Sequence, residues 1–285
     1  MRLPAQLLKR KPDTCKRDYG HVLILAGSVG YTGAAILCAK ACLRSGAGLV
    51  TLGIPKSLNN VFAKRIEELM LLPLEETKNK TLSTKSFGKI KKFLQKCNCL
   101  IIGPGLSQNK STQDLIRKTI RFCEKPMVID ADGLNAIAGH LNIIKRTNNY
   151  KSPIILTPHP GEMARLTGLK TELVQKDRKN IAKKLANKYN ITVLLKGHNT
   201  IVTNGKLVYI NKTGNPGMAK AGTGDVLSGI IGAFLAQKLN PFNAARFGAY
   251  IHGLAGDLSE KDKTQLGLIA SDITEKIPEA LKRSF

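Results

Sequence analysis

Apolar positions fall along the chain in short, near-continuous runs separated by longer amphipathic stretches. Such runs read as strands buried on both faces, and the stretches between them as covering helices. The first run, residues 21–26, leads through a Gly/Ser loop into a helix over 32–44. Residues 49–54 and, more weakly, 69–72 are the next strands, followed by a helix over 83–96. Further strands are expected at 99–103, 126–130, 153–157 and 192–196, with helices over 111–123 and 174–188. Residues 200–210 carry Asn204-Gly205 between two apolar runs, a hairpin signal. Helices over 223–237, 241–258 and 270–282 follow. Strands alternating with helices predict an α/β protein with a mostly parallel central sheet. No Pro/Gly/Ser-rich linker and no internal repeat breaks the pattern, so residues 1–285 read as a single domain.

Composition narrows the class. Hydrophobic residues are 42% and charged residues 23% of the 285, which excludes a disordered or fibrous chain. The net charge of +25 raises polyanion binding as a function. Against it, Trp is absent, aromatics are 5%, and the lysines are scattered over expected helix faces without a reader motif. The expectation is therefore no specific nucleic-acid partner, the charge serving solubility and substrate steering. Residues 21–39 lack any charged side chain, but Gly27, Gly30 and Gly33 interrupt the stretch, so it reads as strand, loop and helix and not as a membrane span. No apolar segment of secretory type follows the basic start. Six cysteines (Cys15, Cys38, Cys42, Cys97, Cys99, Cys123) show neither Cys-x-x-Cys nor zinc-finger spacing. They read as reduced, mostly buried thiols of a cytoplasmic protein.

In an open α/β sheet, ligands bind beyond the carboxyl ends of the strands. Polar or Gly-rich segments follow five strand candidates here: Gly27 to Gly30, Gly103-Pro104-Gly105, Asp130 to Asn135, Thr157 to Glu162, and Lys196 to Thr200. Each alone reads more readily as a structural turn; their recurrence at successive strand exits points to a site. The most informative segment is Gly222-Thr223-Gly224-Asp225, which opens an apolar helix. The free N–H groups and dipole of such a helix start form an anion hole suited to a phosphate. Asp225 has two readings: a base that takes the proton of an attacking hydroxyl, or an acidic residue that merely complements the dipole. The flanking glycines favour the base. The segment matches neither the Walker A pattern nor the Rossmann fingerprint. His159, between two prolines at a strand end, reads as functional and His252 as a packing residue, while Asp257 and Asp272 read equally as helix caps or as site residues.

These motifs resemble, in order, those of the ADP/ATP-dependent NAD(P)H-hydrate dehydratases. The set is Gly27-Ser28 with Gly33-Ala34-Ala35, Gly103-Pro104-Gly105, Asp130 to Asn135, Leu156 to Glu162, Lys196-Gly197, Gly214 to Gly217, Gly222 to Asp225, and His252 to Asp257. The likeness runs over about residues 16–281. It implies a ribokinase-like three-layer fold and a repair reaction: a nucleotide phosphorylates the C6 hydroxyl of hydrated NADH or NADPH, and phosphate then leaves. ADP is the implied donor, with Mg2+. By the same resemblance, Asp225 is the base, and backbone groups of Ala221, Gly222, Thr223 and Gly224 form the anion hole. Lys196, Gly197, His198, Asn199, Thr200 and Gly224 contact the nucleotide. Ala35, Gly105, His159 and Asn135 contact the hydrate with Asp225, and Glu162 helps hold Mg2+ through water. A homotetramer and a separate NAD(P)H-hydrate epimerase are the implied partners. The chain departs from the family pattern at Cys15-Lys16-Arg17 and at Lys220-Ala221, the second a glycine position in the phosphate loop. The competing reading is another ribokinase-like small-molecule kinase, of hydroxyethylthiazole or pyridoxal type.

Overall fold

Successive residues of the first strand face opposite cores. Val22 and Ile24 pack into one apolar cluster and Leu23 and Leu25 into a second, as the two-residue period of a strand requires. The computed structural model describes residues 1–8, 10–145 and 152–284. Its strands are β1 (His21–Leu25), β2 (Leu49–Pro55), β3 (Met70–Leu74), β4 (Cys99–Ile102), β5 (Met127–Ile129), β6 (Ile154–Leu156), β7 (Thr192–Leu195), β8 (Ile201–Thr203) and β9 (Val208–Ile210). They form one sheet in the order β3-β2-β1-β4-β5-β6-β7-β8-β9. From β3 to β7 every pairing is parallel; β8 and β9 add an antiparallel hairpin at the edge. The strand order reverses between β1 and β4, which places the topological switch point there.

The first helices are α1 (Ala5–Leu8), α2 (Thr32–Arg44), α3 (Asn59–Ala63), α4 (Phe87–Leu94), α5 (Lys110–Phe122) and α6 (Asp132–Ile137). Then come α7 (Pro160–Thr167), α8 (Thr171–Lys176), α9 (Arg178–Tyr189), α10 (Thr223–Ala236), α11 (Pro241–Gly267) and α12 (Ala270–Lys282). Helices α2, α10, α11 and α12 supply the core on the Val22 face, and α4 to α9 the core on the Leu23 face. The result is the expected α/β/α arrangement. Every residue of α10 from Val226 to Ala236 is buried, so its first turn is held in place by the whole length of an apolar helix.

Helices α3 and α6 were not expected, the helix expected over 174–188 is divided into α8 and α9, and three further details differ. Residues 160–167, for which no helix was expected, form α7, because His159 caps the helix and Pro160 occupies its first position. Helix α11 runs past 258 to Gly267 through a left-handed Thr264 (φ +62°), its exposed end tied to α12 by an ion pair from Asp262 to Lys276. Strand β3 extends through Pro73, which the sheet accepts at its edge. Cys38, Cys42, Cys97, Cys99 and Cys123 are buried free thiols, and Cys15 is exposed. Among the described residues, no helix is long and apolar enough to cross a membrane.

Candidate functional site

The carboxyl ends of β1, β4, β5, β6 and β7 converge on one edge of the sheet. At the switch point the exits of β1 and β4 are bonded together. Gly27 N–H donates to the Pro104 carbonyl at 2.8 Å, and Ser28 Oγ donates to the Gly105 carbonyl at 2.8 Å. Beyond β5, Ala131 is held at φ +46°, ψ −118°, a conformation that L residues rarely adopt. Surrounding bonds hold that strain. Asp132 accepts from Ser107 N–H at 2.7 Å and from Asn135 Nδ2 at 3.2 Å, while Arg165 Nε donates to Asn135 Oδ1 at 3.1 Å.

Asp130 lies at the centre of the edge, 1% exposed. Its Oδ1 pairs with Lys196 Nζ at 2.9 Å, and its Oδ2 accepts from Ser228 Oγ at 2.7 Å. Lys196, from the end of β7, also lies 3.7 Å from Glu162 Oε2. That same oxygen accepts from His159 N–H at 2.7 Å, closing the cap of α7. His159 Nδ1 accepts from Gly161 N–H at 3.0 Å, so a neutral ring carries its proton on Nε2. Burial lowers the His159 pKa, an effect that Glu162 opposes. Burial alone would lower the Lys196 ammonium, but Asp130 and Glu162 outweigh it and hold it above the ordinary lysine range.

Asp225 is the third residue of α10, behind Gly222 at φ +89°. A side chain at 222 would be strained at that angle, and its Cβ would lie 2.6 Å from Leu37 Cδ1. The amides of Thr223 and Gly224 precede the helix's own hydrogen-bond ladder and stay available to an anion. Burial and then the negative neighbour Asp130 raise the Asp225 carboxyl to about 7, against the opposing pull of Lys196. A carboxylate tuned to that range can take a proton at neutral pH. A Cβ on Gly224 would be 3.4 Å from Lys196 Nζ, so the helix start and the ammonium form one locus.

A cavity of about 610 Å³ opens beside it. All six residues expected to contact the nucleotide line this cavity: Lys196, Gly197, His198, Asn199, Thr200 and Gly224. His159 and Glu162 flank Lys196 on the other side. Ala35 and Gly105 are buried at the switch point; Ala35 is 0% exposed, its methyl 3.0 Å from the Cβ position of Gly27. Asn135 is bound up in the Asp132–Arg165 network. Lys220 Nζ donates to the Leu266 carbonyl at 2.6 Å, which commits its ammonium to the end of α11. His252 lines the cavity as a neutral ring, its pKa pushed down to about 4 by burial. Asp272 is a cap, accepting from Ile269 N–H at 2.9 Å. Asp257 is not. It holds the loop at Gly214 N–H (2.9 Å) and Asn215 Nδ2 (3.2 Å).

Within its strand-exit motif Asp130 was given no role of its own, and Ser228 was passed over. The spacing of Ser228 three positions beyond Asp225 on one helix face was the available signal. Arg178, which bonds the carbonyls of Leu195, Lys196 and His198, gave none.

Comparison with known proteins adds family relationships to this geometry. The family model described as NAD(P)H-hydrate dehydratase matches residues 22–279. The bifunctional NAD(P)H-hydrate repair enzyme of Moorella thermoacetica is 42% identical over 98% of the chain, which spans 52% of that enzyme's length. The ADP/ATP-dependent NAD(P)H-hydrate dehydratase of Bacillus subtilis, co-crystallised with ATP and Mg2+, is similar at TM-score 0.81 and 29% identity, covering 97% of this chain and 94% of that one. A ribokinase-like superfamily protein from Enterococcus faecalis is similar at TM-score 0.81 and 27% identity, covering 97% and 91%.

Proposed function

Because the chain belongs to the NAD(P)H-hydrate dehydratase family, we propose that it restores hydrated NADH and NADPH at the expense of ADP. The observation that carries this reading is the placement of Asp225, tuned to about 7, within electrostatic reach of Lys196 and directly behind Thr223 and Gly224, which line the cavity with Lys196. The nucleotide lies along residues 196–200 with its terminal phosphate over the first turn of α10. The hydrate enters from the switch-point side, past His159, and presents its C6 hydroxyl to Asp225.

Asp225 accepts the hydroxyl proton as the oxygen forms a bond to phosphorus. The bond from that phosphorus to the nucleotide's bridging oxygen breaks, leaving AMP. Thr223 and Gly224 amides and the Lys196 ammonium face the charge that spreads over the moving phosphoryl oxygens. The ring-nitrogen lone pair then expels phosphate from C6, and loss of a C5 proton restores the dihydronicotinamide. Binding both substrates at one locus supplies the orientation.

Mg2+ belongs to this reading. Among the described residues, no group of three or more His, Cys, Asp or Glu is arranged as a metal cage. The hard oxygen donors at hand are Asp130 and Glu162, both facing Lys196. That fits an ion carried largely by phosphates and water, as Mg2+ commonly is. When bound, it would offset phosphate charge. Cytoplasmic residence and a homo-oligomeric state complete the proposal. The buried free thiols support the first of these.

The test is to incubate the protein with NADH hydrate, Mg2+ and either ADP or ATP, following the absorbance of dihydronicotinamide. Nucleotide-dependent recovery, faster with ADP, is expected. A stable phosphomonoester in place of recovery would establish the kinase reading instead.

A further inference from the structure

We propose that Arg178, outside the expected nucleotide residues, is the positioning residue that shapes the nucleotide-binding loop at 196–200. The inference rests on the nucleotide reading of the cavity given above. Arg178 is the first residue of α9, and its guanidinium reaches across to the loop after β7. Nη1 donates to the His198 carbonyl at 2.5 Å. Nη2 donates to the carbonyls of Leu195 at 3.2 Å and Lys196 at 3.0 Å. Among the described residues it forms no ion pair with a carboxylate, so its charge remains uncompensated behind the loop.

The loop needs such a brace. Gly197 is at φ +127° and Asn199, a residue with a Cβ, at φ +55°. Backbone of this kind persists only where its surroundings over-determine it. The guanidinium lies directly against the turn: a Cβ at Gly197 would be 3.0 Å from Nη2.

The carbonyl bonds also decide where the amides point. In a trans peptide unit the C=O and the following N–H face opposite ways. With the Lys196 and His198 carbonyls drawn onto Arg178, the N–H groups of Gly197 and Asn199 are turned away from it. Neither has an acceptor among the described residues, and both residues line the cavity. Arg178 therefore presents two free donors to the anionic part of a nucleotide and adds a positive charge behind them. Lysine cannot replace it, because one ammonium does not span three carbonyls in a fixed plane.

The experiment compares wild type, Arg178→Met and Arg178→Lys by calorimetric titration with ADP and with ATP in the absence of hydrate, and then by steady-state kinetics. Both variants should bind nucleotide ~10- to 100-fold more weakly, the Lys variant between Met and wild type, as expected for loss of charge-assisted hydrogen bonds. KM for nucleotide should rise in step, while KM for the hydrate stays within about twofold and kcat at saturating nucleotide within about threefold. If the variants bind nucleotide as wild type does, or lose kcat and hydrate affinity in equal measure, Arg178 does not shape the nucleotide loop. If circular dichroism shows both variants unfolded, Arg178 is a folding residue and the proposal is overturned. If wild type itself binds neither ADP nor ATP, the nucleotide reading of the cavity fails first, and the role of Arg178 with it.

Discussion

Ser228, one turn beyond Asp225 on α10, donates its hydroxyl to Asp130 Oδ2 at 2.7 Å, while the other oxygen of Asp130 holds Lys196 at 2.9 Å. The helix that carries Asp225 thus also anchors the carboxylate that aims Lys196. Ser228 and Asp130 are both buried, so the bond between them does not compete with water. Ser228→Ala leaves one Asp130 oxygen without its donor, at a cost of about 1–3 kcal/mol. Urea denaturation should show that loss, and nucleotide KM should rise as Lys196 loses its fixed aim.

Asp225→Asn retains the shape of the side chain and removes its basicity. Turnover should fall roughly 10²–10⁴-fold, with ADP binding by titration little changed. Near wild-type turnover in this variant would remove Asp225 from the chemistry. In the wild type, kcat/KM should rise with pH through about 7, because the base must be unprotonated to act.

The same substitution has a stability consequence of known sign. Asp225 is raised to about 7 in the folded chain from 3.8. Stability associated with that proton is complete below the unfolded value and is lost as pH rises through the folded one. Asn has no charge to bury. At about pH 8 the variant should therefore be more stable than wild type, by on the order of 2–4 kcal/mol, with the difference closing toward about pH 4. Thermal melts across that range check it; a gap that widens toward acid would contradict the assignment.

Gly222→Ala places a side chain at φ +89°, with its Cβ 2.6 Å from Leu37 Cδ1. Leu37 can turn aside, but the backbone angle cannot be relieved without moving the helix start. A loss of about 1–2 kcal/mol is expected, with weaker nucleotide binding in a chain that circular dichroism shows to be folded. Full activity in that folded variant would remove the anion hole from the account.

How far the site could be read from sequence depended on how local its parts are. The strand exits were legible because Gly, Pro and Asp interrupt apolar runs at Gly103-Pro104-Gly105 and at Asp130, where the chain must turn. The start of α10 was legible because its glycines and Asp225 stand next to an unbroken apolar helix. The bond between Asp130 and Ser228 joins residues 98 apart, and only the parallel sheet brings them together. Arg178 is one of 45 basic residues, and nothing beside it marks it out. Helix α7 was hidden because His159 is an unusual cap and the two prolines around it read as a turn.

The net charge of +25 should act through long-range steering of anionic substrates. KM for ADP and for the hydrate should rise with added salt, as surface charges beyond a Debye length of about 8 Å are screened near 0.15 M. Nucleic-acid binding, measured in parallel, should be weak and collapse over the same range. Sequence-selective binding that survives physiological salt would demand a different role for the charge.

The chain is expected to complete phosphorylation and elimination at one site. Its most direct test is the stoichiometry of a reaction with limiting ADP and excess NADH hydrate, with NADH, AMP and free phosphate measured together. One of each is expected for every ADP consumed. Accumulation of a phosphorylated nicotinamide with no free phosphate, or recovery of NADH without any consumption of ADP, would contradict it.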